Sequence, residues 1–296
     1  MQKIRKAIIP VAGLGTRFLP VTKAQPKEML PLVDKPVIQY VVEEAADAGI
    51  SNVVFVTGRG KQAIENHFDV SYELEQLLLK SKKMGDLEII RSIHNLVEFA
   101  YVRQGEALGL GHAILCARIV AGDEPVAVLL GDDVFENTSP AIESLIRTHE
   151  STGLSVVGVQ EVPHSHVDRY GIVTPPFGIR NSWQVSNIVE KPSMDRAPSA
   201  YAVVGRYILT PEVFEILETV APGHGGEIQL TDALAILASR GRLMATRIDQ
   251  CRFDTGNKLD YLKACVEFAL KRKEFSADIK EYIIKKSQEF AALKIN

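Results

Sequence analysis

Apolar residues along this chain come in short continuous runs, separated by stretches in which they recur every three or four positions. A strand covered on both faces needs an unbroken apolar run, whereas a helix needs one apolar stripe, so the pattern predicts strands and helices in alternation. Residues 6–12 (KAIIPVA) read as a short buried strand, with Gly13-Leu14-Gly15-Thr16-Arg17 as a tight loop after it. Asp34 reads as an N-cap and Pro36 as a helix start; Val37, Ile38, Val41, Val42, Ala45 and Ala46 then keep helical spacing up to a stop at Gly49. A strand over 53–56 follows, then a polar, mostly helical insertion over 59–97. Further strands are expected at 100–102, 126–130 and 155–159, with helices over 111–121 and 140–151.

This order predicts an α/β fold with a doubly wound, mainly parallel, Rossmann-like sheet. Ligands of such sheets sit beyond the carboxyl ends of the strands. Past residue 160 the runs shorten to 170–174, 185–189 and 201–209, and Thr210-Pro211 opens a helix over 212–220. That change reads as a mixed or antiparallel extension of the same sheet. Residues 257–292 read as a charged amphipathic helical tail that either packs on the body or meets another subunit. The expected division is one α/β domain over 1–256 and a tail over 257–296.

Composition narrows the picture. A formal net charge of −3 argues against a nucleic-acid polymer as partner. The first 31 residues, however, carry Lys3, Arg5, Lys6, Arg17, Lys23 and Lys27 against Glu28 alone, which suits a small anionic ligand. Cys116, Cys251 and Cys265 form neither a metal-spaced pair nor an even disulfide set, and Cys116 lies in an apolar run. No apolar stretch approaches the roughly 20 residues of a membrane span. A cytoplasmic protein is expected.

Four segments hold candidate chemistry. Gly13 to Arg17, with Pro26-Lys27-Glu28-Met29-Leu30-Pro31 beyond it, joins backbone amides to cations that can neutralise phosphate. It lacks the Walker spacing and the third glycine of G-x-G-x-x-G, so alone it is equally an ordinary turn. Gly131-Asp132-Asp133 ends an apolar run, and alternation along a strand sends the two carboxylates to opposite sides. One can bind magnesium while the other caps the next turn; Asp254, before Gly256, supplies a second carboxylate, enough for Mg²⁺ with phosphates and water. Glu190-Lys191-Pro192, by itself a solvated pair, is bracketed by Tyr170-Gly171 and Val203-Val204-Gly205. Gln104, in the loop reaching to Gly109 and His112, carries an amide whose donor and acceptor suit the edge of a uracil. Histidines and serines offer no zinc spacing and no hydrolase elbow.

In order, these pieces resemble the sugar-nucleotide pyrophosphorylases. Val11 to Arg17 with Pro26 to Leu30 looks like their signature, and Thr22 to Tyr40 is similar to the bacterial UTP–glucose-1-phosphate uridylyltransferases. The likeness runs over about residues 5–270, through Gln104-Gly105, Gly131-Asp132-Asp133, Tyr170-Gly171, Glu190-Lys191-Pro192, Gly225 to Asp232 and Phe253 to Gly256. It implies UTP, glucose 1-phosphate, UDP-glucose and pyrophosphate as ligands, Mg²⁺ as cofactor, and a homodimer or homotetramer. It also implies a nucleotide-binding half up to about residue 160 and a sugar-binding half over 161–256. Ala12, Gly13, Gly15, Gln104 and Gly109 would then form the nucleotide set, with uracil held by Ala12, Gly13 and Gln104. Arg17 and Lys27 would bind the triphosphate and the leaving pyrophosphate, and Asp132 and Asp254 the metal. Gly171, Glu190, Val203 and Gly205 would surround the glucose, with Lys191 on its phosphate. Gln25 departs from the apolar residue often found there.

The implied reaction needs charge neutralisation more than proton transfer, since a phosphate monoester with a second pKa of about 6 is already a nucleophile. Within the same class the alternatives are a thymidylyltransferase, which Gln104 would serve equally, and an adenylyl counterpart. From other classes, a Rossmann oxidoreductase lacks its third glycine, and a non-catalytic nucleotide-binding paralogue would be expected to have lost the Gly-Thr-Arg triplet found here intact.

Overall fold

The apolar runs are strands, and their order in space puts the first of them at the centre of a parallel set. A computed structural model of the chain describes residues 3–136, 139–178 and 181–293. Lys6–Pro10 pairs in parallel with Asn52–Thr57 on one side and with Val126–Leu129 on the other; Glu98–Arg103 extends the set beyond Asn52–Thr57, again in parallel. Alternate side chains feed two cores. Ile8, Val54, Val56 and Val128 go to one face of the sheet, and Ala7, Ile9, Phe55 and Leu129 to the other. Helices cover both faces, as continuous apolar strands require.

The extension is mixed. Tyr201–Leu209, buried along its whole length, runs antiparallel between Val126–Leu129 and Ser155–Glu161. Leu243–Arg247 then pairs in parallel with Ser155–Glu161, and Ser182–Gln184 closes that edge antiparallel. Gly171–Val173 and Ile188–Glu190 pair with each other and join the sheet through Tyr201–Leu209. One sheet therefore continues through both halves of the chain.

Three local expectations differ from the structure. Asp34 is not the helix cap: Lys35–Pro36 pairs with Pro31–Leu32, the helix Val37–Asp47 starts directly after Pro36, and the Asp34 carboxylate bonds Arg272. The helix expected over 111–121 is two, Leu110–Cys116 and Arg118–Ala121, pivoting at Ala117. The strand expected over 185–189 is Ile188–Glu190, because Val185 bonds across to Leu243. The insertion is helical as expected, and so is the tail, Lys258–Lys271 and Ser276–Leu293. The first tail helix packs on the body through buried Ala264, the Tyr261 hydroxyl on the Pro31 carbonyl (2.8 Å) and Phe268 against Tyr40 and Phe253. Among the described residues no helix is long and apolar enough to cross a membrane.

A buried ion pair ties the helix Val37–Asp47 to the antiparallel strand. Arg206 reaches Glu44 through Nε (2.9 Å) and Nη2 (2.6 Å), and its guanidinium also donates to the Asp133 and Gly205 carbonyls (2.9 Å each). Glu44 accepts in addition from the Ile142 amide at 3.0 Å. Neither side chain of the pair exceeds 3% exposure, so the guanidinium has no water to fall back on. Glu44→Ala should therefore lower the free energy of unfolding by about 3–5 kcal/mol, read from urea titration. A loss below about 1 kcal/mol would show that Arg206 finds another partner.

Candidate functional site

The parallel strands are wound outwards from Lys6–Pro10, so the loops after it and after Val126–Leu129 leave in opposite directions and open a crevice at their carboxyl ends. A cavity of about 430 Å³ occupies that crevice. Ala12, Gly13 and Gly15 line it from the first loop, Lys27 from the following turn, Gln104 and Gly109 from the end of Glu98–Arg103, and Asp132 from the end of Val126–Leu129. A second hollow of about 410 Å³ collects Arg17, Lys191 and Asp254 beside Tyr170 and Asn257.

The expected metal pair spans the two hollows. Thr255 holds the Asp132 carbonyl through its amide (2.8 Å) and hydroxyl (2.7 Å), which brings the turn after Val126–Leu129 against Asp254. A Cβ at Gly256 would stand 2.6 Å from Asp132 Oδ2 and 3.0 Å from Asp254 Oδ1, so both carboxylates close on a space that any side chain there would fill. Among the described residues no group of three histidines, cysteines or acids could hold a metal. Two carboxylates meeting over a bare glycine fit an ion that takes its remaining ligands from phosphate and water.

The charges around this cradle are strongly coupled. Lys27 Nζ lies 2.5 Å from Asp132 Oδ2. Burial acts against the Lys27 charge, but Asp132, Glu28 and Asp254 outweigh it and raise the ammonium's pKa. Burial likewise opposes ionisation of Asp132, yet adjacent Lys27 holds that carboxyl below the usual range. Asp254 meets Arg252 Nη2 at 3.9 Å, but that guanidinium is hydrogen-bonded to Asp133. Burial, then Asp133 and Asp132, push the Asp254 carboxyl up to about 6. Behind Lys27, Glu28 is buried on Lys61 at 2.8 Å, and burial raises its pKa despite both lysines.

Asp132 and Asp133 do face different ways, but among the described residues Asp133 bonds Arg252 and caps no turn or helix. Its carboxylate accepts from Arg252 Nε at 2.7 Å and fills the bare side of Gly205. Arg252 in turn donates to the Tyr170 hydroxyl at 3.3 Å and stacks over that ring. Gln104 differs as well: its Nε2 is engaged by the Gly109 carbonyl (3.1 Å) and His112 Nδ1 (2.9 Å), so its donor is not turned to the cavity. Gly109 has φ +98°, and a Cβ there would strike Glu227 and the Ile228 carbonyl at 2.8 Å, so the residue has to be glycine.

The residues expected around a sugar are only partly gathered. Gly171 and Glu190 pair across neighbouring strands, and Glu190 Oε2 accepts from Thr231 at 2.6 Å. Lys191 Nζ lies 3.2 Å from Glu190 Oε1, on a backbone with φ +43°. That left-handed conformation is uncommon for a lysine and turns the chain sharply beside the hollow. Val203, by contrast, is buried in the core and Gly205 faces Asp133. Sequence reasoning missed Arg252, Thr255, Lys61, Thr231 and His112; the first four act through a partner distant in the chain or through a backbone atom, and His112 through the side chain of Gln104, eight residues before it. A larger hollow, about 620 Å³, lies elsewhere, where the Thr148, Ser182 and Thr246 hydroxyls bond one another. It offers neither paired carboxylates nor a phosphate loop.

Similarity to known proteins follows the same residues. The family model described as nucleotidyl transferase matches residues 6–270. A UTP–glucose-1-phosphate uridylyltransferase of Staphylococcus epidermidis is 52% identical over 283 residues, covering 96% of this chain and 98% of that protein. A solved UDP-glucose pyrophosphorylase in complex with UDP-glucose is 42% identical with a TM-score of 0.83, over 91% of this chain and all of that one. A UTP-bound relative from Acinetobacter baumannii is 41% identical with a TM-score of 0.86, over 95% of this chain and 99% of its own.

The raised pKa of Asp254 has a signed consequence for stability. A carboxyl raised from 3.8 to about 6 binds its proton more tightly when folded, so its contribution is present below about pH 4 and is lost as pH rises through 6. With divalent metal chelated, Asp254→Asn should be more stable than the unmodified chain at pH 8, by on the order of 2 kcal/mol, and lose that advantage towards pH 4. Thermal unfolding across pH measures it; a difference independent of pH would contradict the raised value.

Proposed function

Because the chain belongs to the nucleotidyl transferase family, we propose that it transfers the uridylyl group of UTP to glucose 1-phosphate, giving UDP-glucose and pyrophosphate. The observation that carries this reading is the crevice at the centre of the sheet, where a phosphate-type loop, Lys27, Gln104 and Asp132 converge, with Asp254 closing on Asp132 over Gly256 from the adjoining hollow. Ala12, Gly13, Gly15 and Gly109 supply backbone to the nucleotide, and Gln104 faces its base. Arg17 and Lys27 hold the triphosphate, and Lys191 the sugar phosphate. Glu190 takes glucose hydroxyls beside Gly171, its partner across the strand pair. Asp132 and Asp254 hold the metal, which we assign as Mg²⁺; when bound it supplies positive charge to the phosphate oxygens.

The chain's task is to bring anions together. Two unit charges 4 Å apart repel by about 4 kcal/mol at an effective dielectric of 20, and several such pairs oppose this encounter. Lys191 guides the sugar phosphate towards the α-phosphorus while Arg17 and Lys27 sit on the departing side and stabilise charge moving onto pyrophosphate. No general base is needed, because the attacking phosphate is already ionised near pH 7. The Lys27–Asp132 contact keeps both side chains charged and aimed at the same point before substrates arrive.

The uridylyl reading takes precedence over the thymidylyl alternative because near-full-length relatives at 52% and 51% identity carry the uridylyl name. Residues 1–256 form the catalytic unit, nucleotide half first and sugar half second. The tail over 257–296 exposes Tyr282, Ile284 and Phe290 and provides the contact for a homodimer or homotetramer. A reducing cytoplasm agrees with three free thiols, Cys116, Cys251 and Cys265. Pyrophosphate release with UTP, dTTP, ATP and GTP, each with glucose 1-phosphate and Mg²⁺, tests the proposal. UTP should give the highest kcat/KM, and a higher value with any other nucleotide would displace it.

A further inference from the structure

Hydrogen bonding around Gln104 decides which atom of the base it reads. The Gly109 carbonyl, 3.1 Å from Nε2, can only accept, so the atom facing it is the amide nitrogen. The second amide proton is directed at His112 Nδ1, 2.9 Å away. That contact is a hydrogen bond only when Nδ1 carries a lone pair, which puts the ring proton on Nε2. His112 Nε2 lies 3.8 Å from Cys116 Sγ, one turn along the same helix, a weak acceptor for that proton. Both amide protons of Gln104 are thereby taken up within the protein. Its Oε1 has no protein donor among the described residues, and Gln104 lines the cavity beside Ala12 and Gly13. Flipping the amide would set Oε1 against two acceptors, Gly109 O and His112 Nδ1.

We propose that His112 is a positioning residue that locks Gln104 as an acceptor-only reader, so the site selects a pyrimidine carrying a proton on N3 and rejects cytosine. The inference rests on the uridylyl reading above and deepens it. Uracil presents N3–H to Oε1, whereas cytosine presents a lone pair at that atom. Thymine shares the N3 proton, so this device does not separate it from uracil. Without His112, one of the two acceptors opposing the flip is gone, and a flipped Gln104 can donate to cytosine N3.

The test is kcat/KM for UTP and for CTP, with glucose 1-phosphate and Mg²⁺, in the unmodified full chain, His112→Leu and His112→Asn. Leucine removes the acceptor but keeps apolar bulk; the asparagine carbonyl can still accept. In His112→Leu the UTP-to-CTP ratio should fall about tenfold, the worth of one hydrogen bond, chiefly through KM. His112→Asn should restore most of the ratio. If the leucine does not pack, His112→Ala gives the same readout. UTP and CTP falling together in the leucine and alanine variants, with the ratio unchanged, would overturn the lock and leave His112 a packing residue. No UTP turnover in the unmodified chain is a distinct result, and would overturn the uridylyl reading and the inference with it.

Discussion

The ion pair between Lys27 and Asp132 is the point on which the rest of the structure turns. It joins two halves of the crevice to which we assign opposite tasks, a cation for phosphate on one side and a carboxylate for a metal on the other. Each group alone would be costly to hold in a half-buried cleft, since desolvation opposes either charge. Together they stay ionised, as the raised Lys27 and lowered Asp132 pKa values record. Asp254, which meets Arg252 only at 3.9 Å and faces two other carboxylates, shows what a looser partner leaves: its carboxyl is pushed up to about 6.

Much of the surrounding architecture serves to keep this pair in place. Arg206, buried on Glu44, fixes the Asp133 carbonyl, and Arg252 fixes the Asp133 carboxylate. Thr255 fixes the Asp132 carbonyl from the other side, so the turn carrying both acids is held at three points. Lys61 neutralises Glu28, next to Lys27 in the chain. Most of these contacts are between charged or polar groups shielded from water, where an unpaired member costs far more than a surface one. The crevice is therefore preorganised by polar contacts beneath it, which suits a reaction whose barrier is electrostatic.

The sheet was readable from the sequence because its signal is local. Val53 to Val56 and Val126 to Leu130 could hardly be anything but doubly covered strands, and the acids and glycines at their ends marked the site. The failures share a cause. Asp34 looked like a cap because its partner, Arg272, lies 238 residues away. Arg252 carried no signal at all, since its contact with Asp133 spans 119 residues. Gly256 was visible only as a neighbour of Asp254, and its bareness acquires meaning only once Asp132 closes on it. Gln104 does line the cavity, but an amide has two ends, and only Gly109 and His112 show which one faces it.

If neutralising cations at this crevice drive the chemistry, removing one should affect the transition state more than the bound substrate. Steady-state turnover and directly measured UTP affinity in Lys27→Ala test that claim. The account expects kcat to fall by about 100-fold or more, the scale seen when one charge-stabilising donor is lost, while UTP affinity changes by much less. Near-normal turnover, or a loss confined to UTP affinity, would contradict it.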